Sequence, residues 1–189
     1  MAKITKNGVN TGLGKIYYSV LGQGGQYEIP VELGDLISFT VTPTENSVDL
    51  WAGDTQYIVD SSVAVEGNFV VPAVSNENLA TLFGMKRGQN DELIYSSKSV
   101  RPEVALLIRQ NNYGGVVDDI TLYRCRLTLA GLQGNTKTDS LTFGQKEFGF
   151  KCLIDSDGVY MTVSSSDEEG YNGANFFADI PEKPTPKLG

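Results

Sequence analysis

The stretch that decides the fold reads EFGFKCLI and spans residues 147–154. Every second side chain in it belongs to one apolar series, which comprises Phe148, Phe150, Cys152 and Ile154. Successive side chains of a β-strand point to opposite faces, so this period of two predicts a strand with one buried face.

The same period recurs elsewhere in the chain, in ISFTVT at residues 37–42 and SVAVEGNFVV at residues 62–71. The alternation predicts that Ile37 and Val63 lie on the buried faces of these two strands. Turn signals separate the strands and read AGDT at residues 52–55, NNYGG at 111–115 and DSDG at 155–158. Each combines glycine with Asn or Asp, residues that tolerate positive φ. They predict antiparallel hairpins, the last joining the strand at 148–154 to a strand at 159–163.

One segment has helical spacing. Ser75 is a credible N-cap, Glu77 places a negative charge in the first turn, and Gly84 suits the C′ position. The apolar face comprises Leu79, Leu82 and Phe83. The fold class predicted is therefore mainly β: an antiparallel β-sandwich or barrel with one short flanking helix and a projecting β-hairpin.

The ends of the chain differ from its middle. We predict one domain at residues 1–166, with an N-terminal arm at 1–10 and a projecting hairpin at 43–66, and a C-terminal arm at 167–189. The arm holds three of the seven prolines together with Tyr171, Phe176 and Phe177. A free tail usually lacks such aromatic residues, so we expect the arm to pack on something such as a neighbouring subunit. A disordered tail is the alternative.

Composition excludes several classes of function. The 189 residues carry 23 acids against 15 bases, a net charge of −8, so the basic surface of a nucleic-acid binder is not expected. Histidine is absent, which rules out Ser-His-Asp and Cys-His catalysis and His-based zinc sites. We therefore expect a protein that is not an enzyme and needs no cofactor or metal. The longest apolar run, residues 104–108, is too short for a membrane span, and residues 1–10 lack a signal-peptide core.

Three short motifs receive structural interpretations. GLGK at residues 12–15 lacks the spacing of a phosphate loop and is interpreted as a flexible lead into a strand at 15–20. DSDG is too short for a calcium loop and is interpreted as a hairpin turn. Asp118 and Asp119 are neighbours on a strand, so their carboxylates are expected on opposite faces.

The two cysteines, Cys125 and Cys152, stand apart without a CxxC pair. We expect buried free thiols in a reducing cytosol, and a disulfide between the two is the alternative.

Other residues are candidates for contacts between subunits. Leu50, Trp51 and Tyr57 flank the AGDT turn, where they either anchor an interface or pack within the chain. Arg124 and Arg126 are two apart, hence predicted on one strand face, where they either form surface or intersubunit ion pairs or are simply solvated. Tyr171, Phe176 and Phe177 complete this set.

Four stretches together resemble a known family. They read TGLGKIYY at residues 11–18, VDLWAGD at 48–54 within the 43–66 hairpin, LIYSS at 93–97 and TKTDSLTF at 136–143. In their order and spacing the chain resembles the major tail proteins that form the tail tube of long-tailed, non-contractile bacteriophages. The resemblance covers residues 11–155 and leaves the C-terminal arm unmatched.

The resemblance implies a structural subunit of the virion tail, assembled in the bacterial host cytoplasm. Hexameric rings would stack into a tube that encloses the tape measure protein and later conducts DNA without binding it specifically. Tail initiator and terminator proteins would be further partners. An acidic lumen would keep DNA sliding, and the candidate lumen-facing acids are Asp49, Asp54, Asp60 and Glu66. Alternatives are a baseplate or tail terminator subunit of the same fold, or a carbohydrate-binding β-sandwich module.

Overall fold

β-Strands dominate the fold, as the alternating pattern predicts. The computed structural model describes residues 10–52, 55–129 and 145–184, with the backbone alone at 45–52, 55–62 and 129. The strands are β1 Asn10–Val20, β2 Val31–Asp35, β3 Ser38–Ala52, β4 Thr55–Val71, β5 Lys86–Arg87, β6 Leu93–Ile94, β7 Val104–Asn112, β8 Val117–Leu129, β9 Lys146–Cys152 and β10 Met161–Ser165. The helix α1 spans Asn76–Phe83, and short 3-10 turns span Tyr113–Gly115 and Gly173–Asn175. The predicted N-terminal arm at residues 1–10 lies almost wholly outside the described residues.

One antiparallel sheet of eight strands forms the body of the molecule, in the order β2-β1-β7-β8-β9-β4-β3, with β10 added beside β8. The strands β5 and β6 form a separate pair. The sheet is sandwich-like, and the strands of the described part do not close into a barrel. The predicted mainly β class with a single flanking helix is confirmed.

The long strand β8 belongs to two half-sheets. One edge of β8 pairs with β7, and its other edge pairs first with β10 at Asp118–Leu122 and then with β9 at Cys125–Leu129. Between these two partners β8 contains one extra residue relative to β7, a β-bulge at which Arg124 adopts a φ of 48°. The first half-sheet is therefore β2-β1-β7-β8-β10, and the second is β8-β9-β4-β3.

Two of the predicted hairpins are confirmed and one is wrong. The hairpin β3–β4 ends at the pair Ala52–Thr55, and β7–β8 turns through Tyr113–Gly115. Asp155 and Gly158 do form a turn, with a 2.9 Å hydrogen bond from the Gly158 N–H to the Asp155 carbonyl. The strand that follows, however, pairs with β8. Because β8 and β4 already occupy both edges of β9, β10 has to pair elsewhere.

The helix forms as its sequence signals predict. The Ser75 side chain accepts a hydrogen bond from the backbone N–H of Asn78 at 3.1 Å, which caps the N-terminus. Gly84 ends the helix in the left-handed conformation, φ 59°, and a Cβ there would collide with the Val100 carbonyl. The buried face comprises Leu79, Leu82 and Phe83, as predicted.

The core lies between the half-sheets and α1. Phe148 is fully buried between Phe69 and Phe83, with ring centroids 5.1 and 6.0 Å away. Two residues predicted on buried faces are wrong: Ile37 is 44% exposed and Val63 is 40% exposed. Ile37 directly precedes the edge strand β3, and Val63 lies on β4 beyond its last pair with β9, where β4 has a strand beside it on one side only.

The expected flexible lead at residues 12–15 is also wrong. These residues belong to β1, which pairs with β7 from the Asn10–Asn112 pair onward. Glycine at position 14 permits this close pairing, because a Cβ there would lie 3.1 Å from the Arg109 carbonyl oxygen.

Candidate functional site

The hairpin β3–β4 extends past the rest of the sheet. β4 pairs with β9 only over Val65–Val71, and the last of these pairs joins Val65 to Cys152. β3 pairs with β4 along its whole length and, among the described strands, with no other. We call residues 44–64 the ribbon. Its two strands pair with each other, and neither outer edge has a strand partner in the described part of the chain.

The ribbon carries the residues that the sequence marks as interface anchors. Leu50 lies opposite Tyr57 in the register, and Trp51 lies opposite Gln56, next to the turn. Their side chains lie outside the described residues, so their role in contacts between subunits stays a prediction. Asp49 and Asp60 also lie on the ribbon backbone, whereas Asp54 is outside the described residues. Residues 136–143, the last of the four stretches that carry the family resemblance, also lie outside the described residues.

Glu66 stands at the base of the ribbon. Its carboxylate is exposed and forms an ion pair with Lys151 of β9, with an Nζ–Oε1 distance of 2.9 Å. The ammonium therefore offsets the one candidate lumen acid whose side chain is described. Exposed pairs of this kind contribute little to stability, about 0–1 kcal/mol.

Arg124 and Arg126 share one acidic partner within the chain. Glu103 binds Arg124 Nε at 2.8 Å and Arg126 Nη2 at 3.0 Å, and the pairing with Arg124 lowers the pKa of Glu103. Arg124 also pairs with Asp155, and its backbone N–H donates to the Tyr27 hydroxyl at 3.2 Å. The structure shows surface ion pairs within the chain, and a role of the two arginines in contacts between subunits stays a prediction.

The C-terminal arm packs on its own chain. Phe177 stacks on Tyr17 of β1 with ring centroids 4.3 Å apart, and Phe176 is 6% exposed. The Arg109 guanidinium lies over both phenylalanine rings, 4.8 Å from the Phe177 centroid and 5.6 Å from the Phe176 centroid. The arm therefore covers the first half-sheet, and these aromatic residues are anchored without a neighbouring subunit.

A buried ion pair fixes the start of the arm. Arg109 donates to both carboxylate oxygens of Asp119, at 2.6 and 2.8 Å, and to the Gly173 carbonyl at 2.7 Å. The Tyr171 hydroxyl donates to the same carboxylate at 2.6 Å. Burial, reinforced by this hydrogen bond to an anion, raises the pKa of Tyr171 to about 12.

A second anchor lies farther along the arm. Lys183 forms ion pairs with Asp155 and Asp157, both at 2.9 Å, and lies 5.5 Å from the centroid of the Tyr123 ring. The Tyr123 hydroxyl donates to the Pro181 carbonyl at 3.1 Å. The DSDG turn thus binds the ammonium group of the arm with its carboxylates.

A cavity of about 340 Å³ lies between the arm and the face formed by β8 and β10. Its walls include Asp119, Thr121, Thr162, Tyr171, Phe176 and Pro181. Its buried carboxylate, Asp119, is already engaged by Arg109 and Tyr171, so the polar lining serves the attachment of the arm.

The described residues provide little for metal chemistry. Within 10–52, 55–129 and 145–184, no three His, Cys, Asp or Glu side chains are grouped so that they could hold a metal ion. Over the same ranges, no helix has the length and apolar character needed to cross a bilayer.

Sequence reasoning missed Arg109 and Glu103, the partners that organise these two charge clusters. Asp118 and Asp119 were recognised as neighbours with separate environments, and they do bind different partners: Asp118 accepts from Ser165 at 2.6 Å, and Asp119 binds Arg109. The signal for Arg109 was its position directly after the apolar run of β7, where a charge next to a core requires a partner.

Neither a scan against protein-family models nor a search of curated proteins finds a match for this sequence.

Proposed function

We propose that this chain is a structural subunit of a phage tail tube, which polymerises as stacked rings and forms a conduit for the genome. The observation that carries the proposal is the ribbon, a two-stranded extension at residues 44–64 with no strand beside it in the described part of the chain. Four sequence stretches resemble major tail proteins, and this resemblance is the reason for proposing a tail tube as the assembly.

The ribbon gains little stability from the rest of a single subunit. An isolated two-stranded hairpin is at best marginally stable in water, because it buries little apolar area against the entropy of ordering. A ribbon of this length gains stability when it docks on another surface. A neighbouring copy of the same chain supplies such a surface at every position along a tube.

The sheet ends also favour self-assembly. The strands β2 and β3 stand at the two ends of the main strand order, and exposed edges invite pairing with another chain. Three exposed apolar side chains lie at or just before the starts of these two strands: Ile29, Val31 and Ile37. Lateral contacts that close a ring would cover both edges. Ring-on-ring stacking is a heterologous contact, which grows an open filament.

The charge balance suits a conduit. Duplex DNA carries one negative charge per about 1.7 Å of axis, so a basic lumen would hold it. The chain has a net charge of −8, and Asp49, Asp54 and Asp60 stand on or next to the ribbon, where stacking would place them near the ring interior. These acids are proposed to face the lumen.

The test is negative-stain electron microscopy of the full chain over a concentration series, beside a shortened variant. Replacing residues 46–62 with Asn-Gly keeps the Glu45–Val63 pair and closes it with a two-residue turn. We expect the full chain to form hollow tubes or stacked rings of uniform width, and the variant to remain a folded monomer.

Two results would count against the proposal. Tubes formed equally well by the shortened variant would remove the ribbon from the mechanism. Monomers of both proteins across the whole series would favour an accessory virion protein of the same fold or a binding module, which glycan and partner screens would then separate.

A further inference from the structure

The two cysteines of the chain meet across the sheet. Cys125 of β8 lies directly opposite Cys152 of β9, and their Sγ atoms are 3.3 Å apart. Both thiols are free and buried, with exposures of 0% and 4%. The sequence contains no other cysteine, so each thiol has only one partner within the chain.

The backbone around this pair suits a covalent link. The Leu153 N–H donates to the Arg124 carbonyl at 2.8 Å, which places the hydrogen bond beside the cysteine pair and not within it. Such a non-hydrogen-bonded pair has Cα atoms about 4.5 Å apart. Disulfides form between Cα atoms roughly 4.4 to 6.8 Å apart, so the strands need not move, and only the two Sγ atoms have to approach.

We propose that Cys125 and Cys152 are an oxidative modification site, at which a small peroxide converts the two thiols to a cross-strand disulfide. The Cys152 thiolate attacks one peroxide oxygen, the O–O bond breaks, hydroxide leaves, and a sulfenic acid remains. The Cys125 sulfur then attacks Sγ of Cys152, an S–S bond forms, and the hydroxyl group departs as water with the Cys125 proton. Two thiols and one hydrogen peroxide give one disulfide and two waters.

The surroundings make Cys152 the first sulfur to react. Cys152 is the last residue of β9, where fraying of the strand end admits a molecule as small as hydrogen peroxide, whereas Cys125 lies inside β8. The contact between the sulfurs also lowers the pKa of Cys152 and, together with burial, raises that of Cys125. The thiolate therefore forms first at the more accessible position.

The position of the link gives it a structural consequence. Cys152 also pairs with Val65, the residue at which β4 leaves β9 and the ribbon begins. A bond from Cys152 to β8 would fix the end of β9, and with it the base of the ribbon. In the context of the proposed function, on which this step rests, subunits would assemble reduced in the cytoplasm and become crosslinked after release from the host.

The experiment uses the purified full chain, first reduced and then freed of reductant. The protein is treated with hydrogen peroxide under native conditions, verified by circular dichroism, and also in subdenaturing urea, so that slow access to the thiols cannot hide the reaction. It is then unfolded in N-ethylmaleimide and analysed by intact mass and non-reducing peptide mapping. We expect a loss of two hydrogen atoms, no alkylation, and a peptide that links Cys125 to Cys152.

Thermal denaturation is measured alongside the mass analysis. The oxidised chain is expected to melt roughly 5 °C or more above the reduced chain, because the link closes a loop between residues 27 apart, and dithiothreitol should reverse the shift. The C125A/C152A variant is the matched control and should show no shift. In C125A alone, Cys152 should accumulate a sulfenic acid that dimedone traps.

Three outcomes would overturn the proposal: alkylation of both cysteines under native conditions and in subdenaturing urea, a sulfinic acid on one cysteine, or a disulfide between two chains. Tube formation is not a readout here, so failure of the crosslink and failure of the tube proposal are observed separately.

Discussion

Val65 and Cys152 form the last pair between β4 and β9, and beyond this pair β4 has only β3 as a neighbour in the described part of the chain. The position of this pair divides the hairpin into a supported part and a free part. Substitutions on the two sides of it are therefore expected to have different effects. Those toward the sheet should alter folding, and those toward the turn should alter assembly.

Replacing Trp51 with alanine tests the free part. Trp51 lies one pair from the end of the ribbon, well beyond the last pair between β4 and β9. We expect W51A to weaken or abolish the assembly seen by electron microscopy, and to change the thermal midpoint of the monomer by no more than a few degrees. A large drop in that midpoint would instead show that the indole packs within its own subunit.

The Arg109–Asp119 pair is expected to contribute to folding far more than a surface pair. The Asp119 side chain is 1% exposed and binds Arg109 through both oxygens, so D119N weakens the pairing of a partly buried guanidinium. We expect a loss of about 2–4 kcal/mol in the free energy of unfolding, measured by urea titration.

The matched control for this substitution is E66Q, which breaks the exposed pair with Lys151 and should cost less than about 1 kcal/mol. Equal losses in the two variants would contradict the assigned burial of the Arg109–Asp119 pair.

Tyr171 offers a pH-dependent signature of the attached arm. Its pKa is raised from 10.0 to about 12, so the neutral phenol is favoured in the folded state. Its contribution to stability is fully present below pH 10.0 and is lost as pH rises through about 12. We expect the difference between the ultraviolet titrations of the wild type and Y171F to show one phenol that ionises late.

The midpoint of this difference curve is the test. If the difference curve has an ordinary midpoint near 10, the Tyr171 hydroxyl does not hold the buried carboxylate of Asp119 in solution.

Truncation after residue 166 tests the arm as a whole. The sequence predicts an arm that packs on something such as a neighbouring subunit. In the structure the arm packs on its own chain, where it buries Phe176 and binds Arg109 and Asp155. Burial of one Phe contributes about 1.5–3 kcal/mol, so the truncated chain should lose at least about 3 kcal/mol of stability in urea titrations. A truncated chain as stable as the full chain would contradict this docking.

The parts of this fold that sequence predicted are those decided by local chemistry. Ser75 and Gly84 act through their own backbone neighbours, so both ends of α1 could be predicted from the local sequence. Phe148 and Phe150 follow the period of two imposed by the strand itself. The turns were also readable, because Gly and Asn or Asp determine where the chain reverses.

The errors concern partners that are distant along the chain. A turn such as Asp155–Gly158 specifies a reversal but not which strand receives β10, because that depends on whether the edges of β9 are already occupied. The hydrogen bond from Arg109 to the Gly173 carbonyl and the stacking of Phe177 on Tyr17 likewise join distant segments of the chain. No local sequence pattern predicts that these segments come together. The arm was expected to pack on something such as a neighbouring subunit, and the surface that it covers in the structure lies on its own chain.

The shared strand β8 has a consequence for how the molecule melts. β8 contributes its first segment to one half-sheet and its second to the other, with only the bulge at Arg124 between them. Removing β8 from either half-sheet exposes the interior of the other, so neither is able to denature while its companion persists. Calorimetry of the isolated monomer should accordingly record a single heat-absorption peak, whose van 't Hoff and calorimetric enthalpies agree.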